Sequence, residues 1–307
     1  MESRVDCQLG SDLLPWEREY FSRWFTAFPQ RSTGADTLWL VARDWRAALK
    51  QLPRRPLRVF VSVLALPPKT GWFGLLRAWN PRPDLNVTLV THSSFASRYY
   101  REMEKVPDAR LVEVPLPGLL EEAAPRPKAF TVGCFSGLAS DANIGLLTSV
   151  VHYVFERNPS IRFRVFGTGK LDKHLDRVAK DLGIGSVFTR ENALPQGIDV
   201  LLKVDLKAEH FVPLLWCAAR GIPAVVADFP GLDRLVIDGH EGFTVPMNET
   251  KPMGELLLRM AQNPSLSESL GIRWRESLAK RFPLDKSTEA IQRLFSVTLA
   301  KTPARAA

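Results

Sequence analysis

The sequence predicts an α/β protein of two domains, each a doubly wound parallel β-sheet, with a ligand cleft between them. Short apolar, β-rich runs alternate with helical stretches along the chain. This alternation is typical of parallel sheets built by crossover connections. A proline-rich segment, residues 115–130, separates two such series and is typical of an interdomain linker. A chain of 307 residues is long enough to form two hydrophobic cores.

The first domain is predicted over residues 1–120 and is short. A helix from about Leu13 to Phe28, capped by Ser11 or Asp12, opens the domain in place of a strand. Its apolar runs predict four strands, near residues 36–42, 57–66, 86–92 and 110–115, and a helix near 94–105.

The opening helix carries an aromatic stripe at four-residue spacing, which allows two interpretations. The stripe consists of Trp16, Tyr20, Trp24 and Phe28, with Phe21 and Phe25 beside it. A core-facing amphipathic helix is the simpler interpretation. The alternative is an interfacial helix that contacts a bilayer, assisted by Arg18, Arg23 and Arg31.

The second domain is predicted over residues 121–285, and a C-terminal helix over 286–307 is predicted to pack back on the first domain. Strands are expected at 129–135, 161–167, near Val187, at 198–204, at 223–229 and at 242–247, with helices between them. Gly183 and Gly221 are placed where helices should end.

Composition narrows the class of protein. The chain is 45% hydrophobic and 24% charged, as in ordinary globular proteins, and no apolar run approaches the roughly 20 residues of a membrane span. Three scattered cysteines and five histidines show no metal-ligand spacing and no disulfide framework, which favours a cytoplasmic location and predicts no metal and no cofactor. The net charge of +8 suits an anionic partner.

The order of several segments resembles one family, the retaining GT-B glycosyltransferases of the family-4 type (glycosyl transferases group 1), in particular their polysaccharide and rhamnosyl branch. The resemblance rests on VGCFSGLASDANIGLL, FRVFGTGKL, the long run from Ile198 to Pro246, RWRESLAKRFPLDKSTEAIQRLF and, in the first domain, NVTLVTHSSFASRYYREM. It implies two Rossmann-like domains and transfer of a sugar from a nucleotide-sugar donor.

The resemblance implies a donor site in the second domain. Glu209 matches the first acid of an E-x(7)-E motif and would contact the donor sugar, while the helix start that follows would present amides to it. Gly167 and Gly169 would let backbone amides approach the diphosphate. The complete expected donor set is Ser136, Gly137, Gly167, Thr168, Gly169, Lys203, Glu209, His210, Phe211, Val212, Pro213, Asp233 and Arg234.

The sequence departs from the family pattern at two important positions. Cys217 replaces the second motif acid, which in the family holds the ribose hydroxyls, and a thiol is a poor acceptor for them. The Arg and Lys that clamp the diphosphate are absent after the first strand of this domain. Lys203, in the apolar run LLK, is predicted to replace that charge, with Arg234 as a helper.

The sequence contains fewer signals for an acceptor site than for a donor site. The loop residues Lys69, Thr70, Gly71 and Trp72 follow the second predicted strand and form the candidate acceptor loop. Besides Glu209, His92 and Asp44 lie near strand ends and are weak candidates for catalytic residues, since a structural hydrogen-bonding role is favoured for both.

Two classes of function stay open at this point. The first is a glycosyltransferase that acts on a glycan, glycolipid or lipid-linked acceptor in bacterial surface polysaccharide synthesis, with possible contact to the inner face of a membrane. Transfer onto modified DNA is a variant that the positive net charge permits but that no motif supports. The second is a catalytically weakened GT-B protein that serves as a binding subunit, an interpretation favoured by Cys217 and the missing clamp.

Overall fold

The structure is a computed structural model that describes residues 5–26, 37–52, 57–64, 84–122, 127–135, 144–204, 211–228 and 235–300. The chain divides into two compact units. The first unit comprises Met1–Leu13, Phe21–Pro117 and Phe282–Ala307, and the second comprises Leu14–Tyr20 and Gly118–Arg281. Within the described ranges, no helix is both long and apolar enough to cross a membrane.

A five-stranded parallel sheet forms the first unit, with strand order β1-β2-β3-β4-β5. Its strands are β1 (Val5–Leu9), β2 (Thr37–Ala42), β3 (Leu57–Val63), β4 (Leu85–Thr91) and β5 (Leu111–Glu113). Its helices are α2 (Trp45–Gln51), α3 (Ser94–Glu102) and α9 (Leu284–Ala300), and helix α1 (Pro15–Thr26) begins in the second unit and continues into the first.

The first sheet is covered on both faces, as the alternation of strand side chains requires. Leu38 and Leu40 of β2 point into a core that includes residues of α2 and α3. Trp39 points the opposite way and packs against Trp24 and Phe25 of α1, with ring centroids 6.1 and 6.0 Å apart. The strand order runs in one direction without the reversal that a doubly wound sheet has, so this sheet offers no switch point between diverging crossovers.

The aromatic stripe of α1 is buried, as the core-facing interpretation predicts. Tyr20, Phe21, Trp24 and Phe25 are all nearly inaccessible to solvent. The bilayer-contacting alternative therefore has no exposed aromatic face in the described part of this helix. Phe28 and Arg31 lie outside the described residues. The predicted cap by Ser11 or Asp12 is wrong, because the helix begins only at Pro15, and the Asp12 carboxylate accepts the Asp44 amide at 2.7 Å.

The second unit contains a six-stranded parallel sheet in the order β11-β10-β9-β6-β7-β8, which is doubly wound. Its strands are β6 (Thr131–Phe135), β7 (Arg162–Phe166), β8 (Phe188–Glu191), β9 (Val200–Lys203), β10 (Ala224–Ala227) and β11 (Gly242–Val245). Its helices are α4 (Ile144–Phe155), α5 (Asp172–Asp181), α6 (Phe211–Ala219), α7 (Thr250–Gln262) and α8 (Pro264–Arg281). The predicted α/β class with two parallel-sheet domains is confirmed, but of the two sheets predicted to be doubly wound only the second is.

Glycines end two of these helices and also permit close packing. Gly183 and Gly221 follow α5 and α6 with φ of +68° and +71°, a backbone region that glycine adopts without strain. Helix α8 approaches the end of α6 so closely that a Cβ on Gly271 would lie 1.8 Å from the Gly221 carbonyl oxygen. A glycine at position 271 is therefore a packing requirement.

Helix α9 is tied to the segment before the predicted linker. The Ser287 hydroxyl donates to the carbonyl oxygen of Pro115 at 2.7 Å, and Ser287 is 1% exposed. Both residues belong to the first unit. This hydrogen bond anchors the chain's last described helix to residues that directly follow β5.

Candidate functional site

The second sheet has a switch point between β6 and β9. The chain enters the sheet at β6, moves outward through β7 and β8, and returns to β9 on the other side of β6. In open α/β sheets, ligands bind at the carboxyl ends of the two strands where the crossovers diverge. This edge of the sheet is reached by Phe135, the last residue of β6, and Lys203, the last residue of β9.

Lys203 lies at this switch point and is buried, with 2% of its surface exposed. Register pairs Gly133 of β6 with Leu201 of β9, which puts Phe135 and Lys203 at the same level two residues later. Burying an ammonium group is costly unless charged or polar groups surround it. Lys203 is thus buried at the end of the apolar run LLK, and its role toward a diphosphate stays a prediction.

The turn after β7 is formed differently from the expectation. The Gly167 amide donates to the carbonyl oxygen of Glu191 at 2.8 Å, and Gly167 has a φ of +123°. The Gly169 amide donates to Asp172 Oδ1 at 2.7 Å. Both amides that were predicted to approach a diphosphate therefore have acceptors within the protein. A phosphate could bind the Gly169 amide only by displacing the Asp172 carboxylate, which occupies the place of an anion.

Helix α6 follows β9 and presents its first turn at the same edge. Phe211, Val212 and Pro213 at its start have buried, apolar side chains, so these three residues can offer a ligand backbone groups only. The first amides of a helix have no partner inside the helix and carry the positive end of its dipole. Pro213 has no amide hydrogen, which leaves the two preceding residues as the donors.

Cys217 cannot replace the ribose-binding acid. It lies within α6 and has no exposed surface. Burial raises the pKa of its thiol well above the ordinary value, so the side chain stays neutral. The structure thus gives a physical reason for the sequence departure: this position faces the protein interior and holds a small apolar group.

An aromatic cluster that sequence reasoning missed lies at the switch point. The Phe135 ring contacts the rings of Trp16, Phe166 and Trp216, with centroid distances of 5.2, 5.5 and 5.6 Å. We name these four residues the switch-point aromatic cluster. Trp16 enters it from the start of α1, which groups with the second unit. The sequence does place Trp16 in the aromatic stripe of the first helix, but the stripe alone could not show that Trp16 contacts Phe135.

The two candidates in the first unit have different environments. Asp44 is exposed and caps α2, because its carboxylate accepts the Ala47 amide at 2.9 Å. This accounts for Asp44 by a structural role. His92 follows β4, and its Nδ1 lies 2.8 Å from the Val114 carbonyl oxygen, so Nδ1 carries the hydrogen in the neutral ring. Burial lowers the pKa of His92 to about 4.

The remaining predicted site residues lie outside the described residues. They are Ser136, Gly137, Glu209, His210, Asp233 and Arg234 of the donor set, and Lys69, Thr70, Gly71 and Trp72 of the acceptor loop. The structure thus brings Lys203 and the start of α6 together at one edge of the second sheet, with the Gly167–Gly169 turn after the neighbouring strand β7. Within the described ranges, no group of three or more His, Cys, Asp or Glu side chains could hold a metal ion.

Solved structures similar to this chain include glycosyltransferases, whereas no family model and no curated protein matches it. TarM of S. aureus aligns with a TM-score of 0.67 at 11% identity, over 84% of this chain and 54% of TarM. HepE of Anabaena, solved with UDP and glucose, aligns with a TM-score of 0.66 at 16% identity, over 90% of this chain and 80% of HepE.

Sucrose-phosphate synthase of Thermosynechococcus elongatus aligns with a TM-score of 0.61 at 13% identity, over 92% of this chain and 77% of that enzyme. The chain spans only about half the length of TarM, 54%. At such identities the likeness establishes the fold alone, and the resemblance seen in the sequence is confirmed at that level: the chain has a two-domain GT-B fold.

Proposed function

We propose that this chain is a glycosyltransferase that takes its sugar from a nucleotide-sugar donor, with a UDP-sugar as the first choice. The observation that carries the proposal is the buried Lys203 at the switch point of the second sheet. Support comes from the similar structures, because HepE was solved with UDP-glucose and GtfA, an O-GlcNAc transferase, with UDP and GlcNAc.

The chemistry of glycosyl transfer suits this arrangement. The bond between the sugar carbon and the diphosphate oxygen breaks while a bond to the acceptor oxygen forms, so negative charge grows on the leaving diphosphate. Lys203 and the first amides of α6 offer positive charge and donors at one edge, where they stabilise that charge without reorganising. Burial strengthens the effect because the local dielectric is low.

The other parts of the proposal follow from the resemblance. Glu209 contacts the donor sugar, Asp233 and Arg234 assist at the diphosphate, and the loop of Lys69 to Trp72 receives a glycan or glycolipid acceptor. The reaction retains the configuration of the sugar and takes place in the cytoplasm, in the synthesis of a surface polysaccharide.

A second candidate is a GT-B protein that binds a nucleotide-sugar but turns it over poorly. Two observations favour it. Cys217 is fully buried and neutral, so no side chain at that position holds the ribose. The amides of Gly167 and Gly169 are already hydrogen-bonded within the protein. Both features lower the number of groups available to the donor.

One two-step experiment separates these candidates. A thermal-shift screen of the purified protein against UDP, GDP, dTDP, ADP and CMP and their sugar conjugates identifies the donor, because a ligand of the native state raises the melting temperature. Release of the nucleotide from the best sugar conjugate is then measured with glycan acceptors. A shift with turnover supports the enzyme, a shift without turnover supports the binding protein, and no shift with any nucleotide contradicts both.

A further inference from the structure

Two buried tryptophans in the second unit have indole N–H groups without an acceptor among the described residues. They are Trp16 and Trp216, which are 1% and 4% exposed. An indole nitrogen can only donate, and buried donors in native proteins nearly always have a partner from the protein, water or a ligand. Trp274 of the same unit follows this rule, because its Nε1 donates to the Leu235 carbonyl oxygen at 2.8 Å.

Both unpaired indoles flank the same ring at the ligand-binding edge. The centroids of Trp16 and Trp216 lie 5.2 and 5.6 Å from that of Phe135, the last residue of β6. In the register of the two adjacent strands, Phe135 of β6 lies beside Lys203 of β9, and the switch point is between these two strands. Two unpaired donors and a buried cation thus belong to one small region of the second sheet.

The hydrogen-bond donors and the positive charge of this region favour an anionic ligand that accepts hydrogen bonds. Helices α4 and α6 follow β6 and β9, so their N-termini face the same edge and add positive potential. The carboxylate next to Trp16 in the sequence, that of Glu17, accepts the Leu14 amide at 2.9 Å, a hydrogen bond within the start of α1. Oxygens of a diphosphate are acceptors only, carry negative charge and can accept from several donors at once.

We propose that the indole N–H groups of Trp16 and Trp216 donate to the diphosphate oxygens of the nucleotide-sugar, an inference that rests on the proposed function. The two tryptophans then replace, in part, the Arg and Lys clamp that the sequence lacks. Trp16 comes from the beginning of α1, so the N-terminal helix supplies one of the donors to a site whose other residues lie beyond residue 130.

The test measures binding of UDP and of uridine by calorimetry to the full chain. Trp16→Phe and Trp216→Phe remove the N–H and keep an aromatic ring, and Trp274→Phe is the matched control because its N–H has an internal acceptor. We expect each of the first two changes to weaken UDP binding roughly tenfold or more, as for a lost hydrogen bond to a charged group, and to leave uridine binding unchanged. The control should lower the melting temperature and keep the affinity for UDP.

Replacing either tryptophan by β-(benzothienyl)alanine, which exchanges the N–H for sulfur at equal size, covers the case in which phenylalanine leaves a cavity that impairs folding. Loss of UDP affinity in this isosteric variant, with no loss of thermal stability, supports the inference. Equal UDP affinity in the wild type and both isosteric variants overturns it and leaves the proposed function standing. A wild type that binds no nucleotide overturns the proposed function, and the inference with it.

Discussion

A close approach between two backbones in the second unit predicts a large effect of adding one methyl group. Gly271 of α8 faces the turn after α6, and a Cβ there would lie 1.8 Å from the Gly221 carbonyl oxygen and 2.6 Å from its carbon. The closest ordinary C···O contact is about 3.3 Å, so the two backbones would have to separate by about 1.5 Å. Gly271→Ala gains about 1 kcal/mol of helix propensity, but overpacking against backbone costs about 3 kcal/mol or more.

We therefore expect Gly271→Ala to destabilise the second unit by about 2 kcal/mol or more, measured by urea unfolding. Gly254→Ala in α7 is the matched control, since it has the same helix propensity gain. Its Cβ would lie 2.3 Å from Tyr153 Cδ1, an atom of a half-buried ring that can turn away. We expect a change within about 1 kcal/mol for this control. A Gly271→Ala protein as stable as the control would refute the argument and the approach of α8 to the end of α6.

Three further predictions concern single residues. Burial lowers the pKa of His92 from 6.5 to about 4, so the unfolded chain takes up this proton at a higher pH than the folded chain does. The free energy of unfolding should therefore fall, by on the order of 2–3 kcal/mol, as the pH drops between these two values. The variant His92→Gln should remove this dependence in unfolding curves at pH 8 and pH 5. Restoring an acid by Cys217→Glu should lower the melting temperature far more than Cys217→Ala, because the carboxylate would be buried without a partner; equal melting temperatures would show that the position opens to solvent. Glu209→Gln should weaken binding of the intact UDP-sugar by about 1–2 kcal/mol and leave UDP binding unchanged, whereas equal effects on both ligands in calorimetry would remove Glu209 from the sugar site.

Apolar runs were sufficient to predict most of the fold. Strands β2 to β11 lie within a few residues of their predicted positions because each contains a buried, β-branched or aromatic run. Strand β1 was missed because Asp6 and Gln8 interrupt its apolar residues and it lies at the edge of the sheet, where pairing with β2 alone holds it. Helix α2 lies between two predicted strands, where a helical stretch was expected, but its seven residues are too few for a periodic pattern to set its bounds.

The candidate site was predictable only where the chain itself fixes position. Lys203 ends an apolar strand, so both its burial and its position at the carboxyl end of that strand could be predicted. Hydrogen-bond partners are a different matter, because the Gly169 amide is bonded to Asp172 through a turn whose shape no spacing rule specifies. The pairing of Trp16 with Phe135 joins residues far apart in the chain, and the absence of an acceptor for an indole can be seen only in three dimensions.

The central claim is that a nucleotide-sugar binds at the switch point of the second sheet through Lys203. Calorimetric titration of UDP into the wild type and into Lys203→Met tests it most directly, with far-UV circular dichroism to show that the variant is folded. Methionine keeps the stem and removes the charge, so we expect measurable binding by the wild type and a loss of about 1.5–3 kcal/mol in the variant. Equal affinity of a folded Lys203→Met protein for UDP would contradict the claim.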